Sequence, residues 1–224
     1  MIELMHYDFK QKRNAIDSNK SRGFNIPEID HLLNQGMQLF IDGIVNKSLE
    51  YNAWSINALR PLVTKTTVTP TVDGTELYSS LPTDFMYWGS GEAVIKKGTC
   101  TKTARLYSVQ MDDLHEESPF SKSSFEWEEV NYHLSEAGIR MFTDGTFTIT
   151  RVNLSYYRKP LYMHFAEGFG GYSLPDGTVL TGKQDCELPE QPNIHNRIVD
   201  LAVALTQISN TNPIQKLQLY EQNS

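Results

Sequence analysis

Apolar residues recur with a helical period near both ends of this chain, whereas its long middle has the composition of β-strands. Residues 26–44 carry one apolar stripe at helical spacing, and a second such stripe lies between 194 and 208. From 63 to 187 the chain is rich in Thr, Val, Tyr and Phe, residues that favour strands. Because an apolar stripe must be buried against another element, the helices of the two ends are expected to pack together.

The start of the first long helix is marked by three residues. Asn25 is a preferred N-cap, Pro27 fits the first turn, and Glu28 can return a hydrogen bond to the cap in a capping box. The stripe also contains Gly36 and Gly43, each of which costs about 1 kcal/mol of helix propensity relative to alanine. Close approach of another helix would offset that cost, and tolerance by a long, well-packed helix is an equal explanation.

Further helices are predicted on either side of the β-prone segment. The segment 49–59 reads as helical and ends where Arg60 precedes Pro61, because proline cannot continue a helix. Near the other end of the chain, Pro192 precedes the second apolar stripe. The pair at 212–213, Asn-Pro, then predicts the start of a last short helix.

Turn signals divide the middle of the chain into strands. Asp-Gly pairs of the kind found in tight hairpins occur at 73–74, 144–145 and 176–177. The clearest predicted hairpin joins 138–143 to 146–157 through the second of these pairs. Neither face of its longer strand is purely polar, which predicts that the strand is covered on both faces.

The predicted fold class is α+β, with terminal α-helices forming a helical bundle and a central inserted antiparallel β domain. The N-terminal arm and helices of the bundle occupy 1–62, the β-rich domain 63–189, and the C-terminal helices that complete the bundle 190–224. Within the β-rich domain, a short helix is expected near 111–117 and an exposed loop at 167–172.

Composition restricts the partners and the compartment. The 224 residues carry a net charge of −7, and their only basic cluster is five Lys and Arg residues between 10 and 22. Proteins that bind nucleic acid by neutralising phosphates are usually basic. Cys100 and Cys186 lack the spacing of a disulfide framework or metal site, so two reduced, buried thiols are expected. Without a signal peptide or membrane-length apolar stretch, a soluble protein made in a reducing cytoplasm is expected.

A search for catalytic and metal-binding motifs finds none. Phosphate-binding glycine loops are absent, and the six histidines are scattered without a zinc-site pair. Acidic residues cluster at 112–117 and 126–129, where a hydrated surface is expected. Cys186 and His195 can in principle form a nucleophilic pair, although no family signature surrounds them. No catalytic residue, metal ligand or cofactor is therefore assigned.

Four stretches of the chain carry a resemblance to a known family. They are 18–30 (SNKSRGFNIPEID), 81–85 (LPTDF), 154–160 (LSYYRKP) and 186–203 (CELPEQPNIHNRIVDLAV). In this order they resemble the head-to-tail connector, or adaptor, proteins of tailed bacteriophages, especially the ring proteins of crAss-like phages. Each stretch is a short motif, and together they span most of the chain.

The resemblance implies a virion structural protein of the portal–tail vertex, assembled in the host cytoplasm and without enzyme activity. Its subunits would form a homo-oligomeric ring, a dodecamer in most of the family, that joins the portal protein to a downstream tail or connector protein. The ring would extend the DNA channel for genome retention and ejection, without sequence-specific DNA binding and without a membrane. The residues assigned to the subunit interface are Ile29, Leu33, Gly36, Phe40 and Gly43. Those assigned to the portal interface are Leu217, Leu219 and Tyr220.

Three other functions fit the same sequence. A tail terminator, stopper or second connector ring differs from the first interpretation only in the neighbour that it touches. A carbohydrate-binding adhesion module would explain the aromatic β region and would need no ring. A small hydrolase would use Cys186 and His195.

Overall fold

The computed structural model describes residues 1–16, 23–46, 55–73, 76–109, 122–135, 138–190 and 193–210. Within these residues the protein is mixed α+β, with three helices longer than one turn and a large curled β-sheet. The chain divides into two compact units. The helical unit comprises Met1–Leu62 and Pro160–Ser224, and the β unit comprises Val63–Lys159.

The helical unit is built from both ends of the chain. Its helices are α1 (Ile2–Ile16), α2 (Ile26–Val45), the one-turn α3 (Ser55–Ala58) and α4 (Ile194–Asn210). The predicted capping box is confirmed, because Asn25 Oδ1 accepts the Glu28 N–H at 2.9 Å and Glu28 Oε2 accepts the Asn25 N–H at 3.0 Å. Both α1 and α2 pack against α4, so helices from the two ends of the chain are in contact.

Gly36 lies where α2 crosses α4. A Cβ at this position would come within 2.6 Å of the Ile198 carbonyl oxygen and 3.0 Å of the Ala202 nitrogen. Both of these are backbone atoms, which cannot yield by rotating a side chain. Close helix approach is therefore the explanation that applies to Gly36.

Several predicted elements fall wholly or partly outside the described residues. Of the segment 49–59 the structure describes α3, and a 3₁₀ turn at Arg60–Leu62 follows it. The helices predicted near 111–117 and after 212 lie outside the described residues. None of the described helices is both long and apolar enough to cross a membrane.

The β unit contains an eight-stranded sheet with the order β1-β8-β4-β5-β6-β7-β3-β2. Its strands are β1 (Val63–Val68), β2 (Thr71–Asp73), β3 (Glu76–Ser79), β4 (Phe85–Lys97), β5 (Cys100–Ser108), β6 (Glu129–Ser135), β7 (Gly138–Met141) and β8 (Thr148–Arg158). The two edge strands, β1 and β2, are separated in the chain by Thr69 and Pro70 alone. Three Cα–Cα steps span at most about 11 Å. The sheet must therefore curl until its two edges approach each other at this corner.

The interior of the β unit is a continuous apolar core. Trp88 and Tyr132 stack with ring centroids 4.5 Å apart, and Phe125 contacts Phe147 at 6.2 Å. The buried members of this core are Ala93, Ile95, Ala104, Phe125, Val130, Tyr132, Ile139, Met141, Phe147, Ile149 and Val152. Every strand from β4 to β8 contributes to it.

Strand β8 contains a β-bulge that its sequence pattern does not predict. One extra residue, Thr150, lies at a register shift against β4. The shift brings Ile149 onto the same face as Val152, Leu154 and Tyr156, and all four are buried. The prediction that both faces are covered is therefore wrong, since the other face remains partly open to solvent.

Two predictions about strand pairing are also wrong. Strand β7 pairs with β6 and β3, whereas β8 pairs with β1 and β4, so the two do not form a hairpin. Asp144 does form a local turn, in which its Oδ1 accepts the Thr146 N–H at 2.8 Å. That turn leaves β7 and β8 free to diverge into different places in the sheet. The sheet is also not wholly antiparallel, because β5 and β6 are parallel neighbours joined by a long connection.

The segment 160–189 belongs to the helical unit, although its composition assigned it to the β-rich domain. It contains a 3₁₀ turn (Ala166–Phe169) followed by the hairpin of β9 (Tyr172–Ser173) and β10 (Val179–Leu180). The side chain of Asn34 in α2 accepts the Met163 N–H at 3.0 Å and donates to the Met163 carbonyl at 2.7 Å. These paired hydrogen bonds attach the segment to a helix.

The β9–β10 hairpin confirms the turn predicted at 176–177. Strands β2 and β3 pair on either side of the turn predicted at 73–74, which lies partly outside the described residues. The loop predicted at 167–172 is instead partly regular. Its first residues belong to the 3₁₀ turn, in which Ala166 is fully buried, while Phe169 is half exposed.

We predict that Gly36→Ala destabilises the protein even though alanine is the better helix former. The gain in helix propensity is about 1 kcal/mol, whereas overpacking against fixed backbone costs about 1–3 kcal/mol. Urea unfolding should therefore show a lower free energy of unfolding. Gly23→Ala is the control, because a Cβ there meets nothing within 4 Å. Equal stability of the two variants would contradict close packing at Gly36.

Candidate functional site

The five residues predicted for the subunit interface lie inside the helical unit. Ile29 and Leu33 are fully buried, Phe40 is 2% exposed, and Gly36 and Gly43 are buried as well. This stripe stabilises the chain's own fold, so a contact between copies must use other residues. The three residues predicted for the portal interface, Leu217, Leu219 and Tyr220, lie outside the described residues.

The most deeply buried charged side chain among the described residues is Asp30, which has no solvent access. His6 Nε2 of α1 lies 2.7 Å from Asp30 Oδ1, and the Tyr172 hydroxyl donates to Oδ2 at 2.6 Å. The backbone N–H of Phe165 donates to both carboxylate oxygens, at 3.2 and 3.1 Å. One carboxylate thus connects α1, α2 and the segment 160–189.

The surroundings of Asp30 also control two phenols. Burial raises the pKa of Tyr172 above its ordinary value, and the hydrogen bond to Asp30 raises it further. Burial and the nearby Asp30 charge likewise raise the pKa of Tyr162. Both hydroxyls therefore remain protonated at neutral pH. Because His6 is 4% exposed and Asp30 is inaccessible, the network holds the fold together and offers no open position for a substrate.

Cys186 and His195 do not have the arrangement of a nucleophilic pair. His195 Nε2 lies 2.8 Å from the Leu188 carbonyl oxygen, which can only accept, so this nitrogen carries a hydrogen. Burial raises the pKa of the Cys186 thiol to about 11, and the protonated thiol is a poor nucleophile. The expectation that Cys100 is buried is wrong, because it is exposed at the start of β5.

The β unit carries a groove of about 870 Å³ across strands β1, β8, β4 and β5. Gly89, Ser90 and Gly91 of β4 line it beside Ser155 of β8, together with the side chains of Trp88 and Leu106. A register shift occurs at Gly89, where a Cβ would come within 2.7 Å of the Ser155 carbonyl oxygen. Glycine inside a central strand often marks a place where another chain or a ligand approaches closely.

Long polar side chains border this groove on both sides. Lys65 projects from β1 opposite Ser155, and Arg105 projects from β5 opposite Glu92. Within the described part of the chain, neither Lys65 nor Arg105 has an ion-pair partner. Tyr107 follows Arg105 on the same face and is 43% exposed. The groove is therefore polar, with Lys65 on one border and both Arg105 and Glu92 on the other.

A rigid turn between β5 and β6 presents an exposed indole. Trp127 is 80% exposed, more than any other large apolar side chain among the described residues. The backbone groups of Ser124 and Glu129 bond each other at 2.9 and 3.0 Å, which closes the turn. Glu128 has a φ of 58°, a conformation uncommon outside glycine. Phe125 anchors the turn in the core of the β unit. Residues 124–129 are called the Trp127 turn below.

No protein-family model and no curated protein sequence matches this chain. Within the described residues, no three His, Cys, Asp or Glu side chains are grouped closely enough to hold a metal ion. The most distinctive exposed features are thus the groove and the Trp127 turn, and sequence analysis singled out neither. The Trp127 turn contains the acidic run 126–129, for which the sequence predicts a hydrated surface. The sequence feature from which the groove could have been predicted is the pattern Gly89-Ser90-Gly91 inside a strand.

We predict that Asp30→Ala lowers the free energy of unfolding by about 3–5 kcal/mol, because it leaves buried partners unsatisfied. Asp200→Ala is the matched control, since Asp200 forms an exposed ion pair with Lys12 at 2.7 Å. Such pairs contribute about 1 kcal/mol or less. Urea denaturation of the two variants measures the difference. Similar losses would show that Asp30 does not organise the helical unit.

We also predict that one thiol per native chain reacts with a chromogenic disulfide reagent at neutral pH. Cys100 is exposed and reacts, whereas Cys186 is buried with a pKa of about 11 and reacts only after unfolding. The Cys100→Ser variant should therefore show no reaction with the reagent until denaturant is added. Rapid modification of that variant would revive the hydrolase interpretation.

Proposed function

We propose that this chain is a ring-forming head-to-tail connector subunit of a tailed bacteriophage, which joins the portal to the tail. The observation that carries the proposal is the division of the chain into two units. The helical unit is assembled from both chain ends, and the β unit is inserted between Leu62 and Pro160. We interpret the helical unit as the terminal bundle, and the β unit as the central domain, that the resemblance implies.

The stretches that carry the resemblance also meet within the β unit. The Tyr156 hydroxyl donates to Asp84 Oδ1 at 2.8 Å, and the Lys159 N–H donates to the Asp84 carbonyl at 2.7 Å. These bonds join 81–85 to 154–160 at the point where β8 ends. In a related fold, residues with such a structural role are expected to recur, which supports the comparison with connectors.

The other two stretches meet in the helical unit. Residues 18–30 lead into α2, residues 186–203 lead into α4, and these two helices pack together. The resemblance therefore rests on residues that frame both units. This is the pattern expected of a likeness in fold, and a connector acts through its fold and its surfaces rather than through a reaction centre.

A ring requires exposed contact surface, and α1 supplies an apolar one. Leu4 is 63% exposed and Tyr7 is 60% exposed. They lie three residues apart, on one face of α1. In this proposal the helical unit forms the wall between subunits through such exposed residues. The buried stripe of α2 stabilises the helical unit that forms this wall.

The proposed ring lies at the portal–tail vertex of the virion, and DNA passes through its lumen without sequence-specific contacts. A net charge of −7 suits such a channel, because a wall that repels phosphates does not retain the DNA. Retention and ejection of the genome would then depend on the stacked rings and not on a reaction. The β unit would face the next ring or the exterior.

We predict that electron microscopy of this protein mixed with the portal protein of the same genome shows a closed ring stacked on the portal. The protein alone and the portal alone are the controls. Leu4→Asp with Tyr7→Asp should reduce the number of ringed portals, whereas Ala204→Asp, an exposed change on α4, should not. A wild-type chain that never docks on the portal would contradict the connector function.

The portal contact is assigned to 212–224 and can be tested by deletion. We expect the truncated chain to fold with an unchanged unfolding midpoint and to lose portal docking. If the truncated chain still docks as the full chain does, the portal contact lies elsewhere on the subunit. A ring that docks only on another tail protein would favour a terminator, stopper or second connector ring.

The groove favours one function of a different kind, a carbohydrate-binding module. Arg105, Glu92 and Asn153 line it with planar polar groups, and Tyr107 supplies an aromatic face. Such a module would bind glycans as a monomer. Glycan binding by a monomeric chain that ignores the portal would replace the connector proposal.

A further inference from the structure

We infer that the Trp127 turn of one copy inserts into the groove of a neighbouring copy, so that the β units form a second contact between subunits. The inference rests on the proposed ring and specifies a contact within it. Both features belong to the β unit, and each remains open to solvent in the single chain.

The Trp127 turn has the properties of an anchor residue. Trp127 offers a large apolar surface, and tryptophan is among the side chains that contribute most to protein–protein contacts. Little ordering is required on binding, because the turn is already closed by backbone hydrogen bonds. Ser124 Oγ also accepts the backbone N–H of Trp127 at 3.3 Å. A turn whose backbone is held in place before binding loses less entropy when it binds.

The groove has the shape to receive such an anchor. Its volume of about 870 Å³ exceeds what one indole needs and falls within the range of pockets that enclose small ligands. Gly89 and Ser90 are exposed there, so an aromatic ring can approach the backbone of β4 beside Trp88. The apolar stem of Lys65 and the ring of Tyr107 border the space in which the indole would lie.

The charges of the two surfaces are complementary in balance. Glu126 and Glu128 flank Trp127 in sequence, whereas the groove is lined by two cations, Lys65 and Arg105, and one carboxylate, Glu92. In the single chain, Glu126 is paired with Lys97 at 3.4 Å and Glu128 with Lys102 at 3.2 Å. Both pairs are exposed to solvent and are therefore weak, so the glutamates can approach the groove of a second chain. The unpaired cations there would then gain partners.

The occupant assigned to the groove is a second copy, because the exposed indole and the glutamates that would meet Lys65 and Arg105 belong to this same chain. The Trp127 turn is tied to β5 by the bond from the Arg105 N–H to the Glu128 carbonyl at 2.8 Å. Its indole is 80% exposed in that fixed position. Since the turn and the groove are different patches, each contact uses one patch of each copy. Repetition of such a head-to-tail contact produces a closed ring or a filament.

The contact can be tested with two variants that each remove one half of it. Trp127→Ala removes the anchor and leaves the groove, whereas Ser90→Trp fills the groove and leaves the anchor. Sedimentation velocity at up to about 1 mM protein should show each variant alone as a monomer, with a dissociation constant raised at least about tenfold. An equimolar mixture should form a one-to-one dimer, because one intact turn meets one intact groove.

Matched substitutions test whether a loss of association has another cause, such as added bulk or unfolding. Trp127→Phe should restore part of the association. Thr101→Trp adds the same bulk to an exposed position of β5 outside the groove and should associate as wild type does. Urea unfolding midpoints of all four variants should stay near that of wild type. Loss of association by Thr101→Trp as well would overturn the assignment of the groove.

The failure of this contact can be distinguished from the failure of the connector function. If Trp127→Ala and Ser90→Trp each associate as wild type does, or if their mixture stays monomeric while wild type associates, the contact is overturned. If the wild-type protein is itself monomeric in solution, the rings that it and Trp127→Ala form on the portal decide whether the contact exists. Rings that form equally well with Trp127→Ala overturn the contact and leave the connector standing. Absence of any wild-type ring overturns the connector and, with it, this contact.

Discussion

A carboxylate without solvent access is stable only when its oxygens are supplied with donors, and Asp30 meets this condition with groups from three places in the sequence. His6 comes from α1, and the Phe165 N–H and the Tyr172 hydroxyl come from the segment beyond the β unit. Because an unpaired buried charge is so unfavourable, these parts must be in place together. Folding of the helical unit is thereby coupled to the correct return of the chain after β8.

A covalent constraint has a comparable role in the β unit. The edge strands β1 and β2 are consecutive in the chain, and Thr69 and Pro70 give them no freedom to separate. The sheet therefore has to curl, and its apolar residues become an interior. Its outer face becomes the surface available for binding. The groove and the Trp127 turn lie on elements whose shape this interior fixes, and Trp88 and Leu106 of the groove pack directly against the core.

The parts of the fold that depend on neighbours in sequence were the parts that the sequence predicted. The capping box at Asn25 follows from local pattern, whereas the need for glycine at Gly36 depends on the approach of α4, and the sequence left two explanations for it open. The bulge at Thr150 was not predictable, because a one-residue insertion appears only when a partner strand is known. The unit to which 160–189 belongs depends on Asn34, more than a hundred residues away. Trp127 was missed because the glutamates around it indicated ordinary surface, although its exposure depends on the fixed turn.

The separation between residues that fold the subunit and residues that remain for assembly bears on how a ring can form. The apolar stripe of α2 is buried within the chain, so among the described residues the candidates for contact with other copies are exposed side chains such as Leu4 and Tyr7 of α1 or the indole of Trp127. A small contact is weak between two free subunits. On a template that holds neighbours side by side, the same contact becomes effectively intramolecular, and the last contact of a ring closes at a high effective concentration. In the proposed connector, a subunit of this kind would therefore stay monomeric in solution and still form a stable ring where the portal brings its copies together.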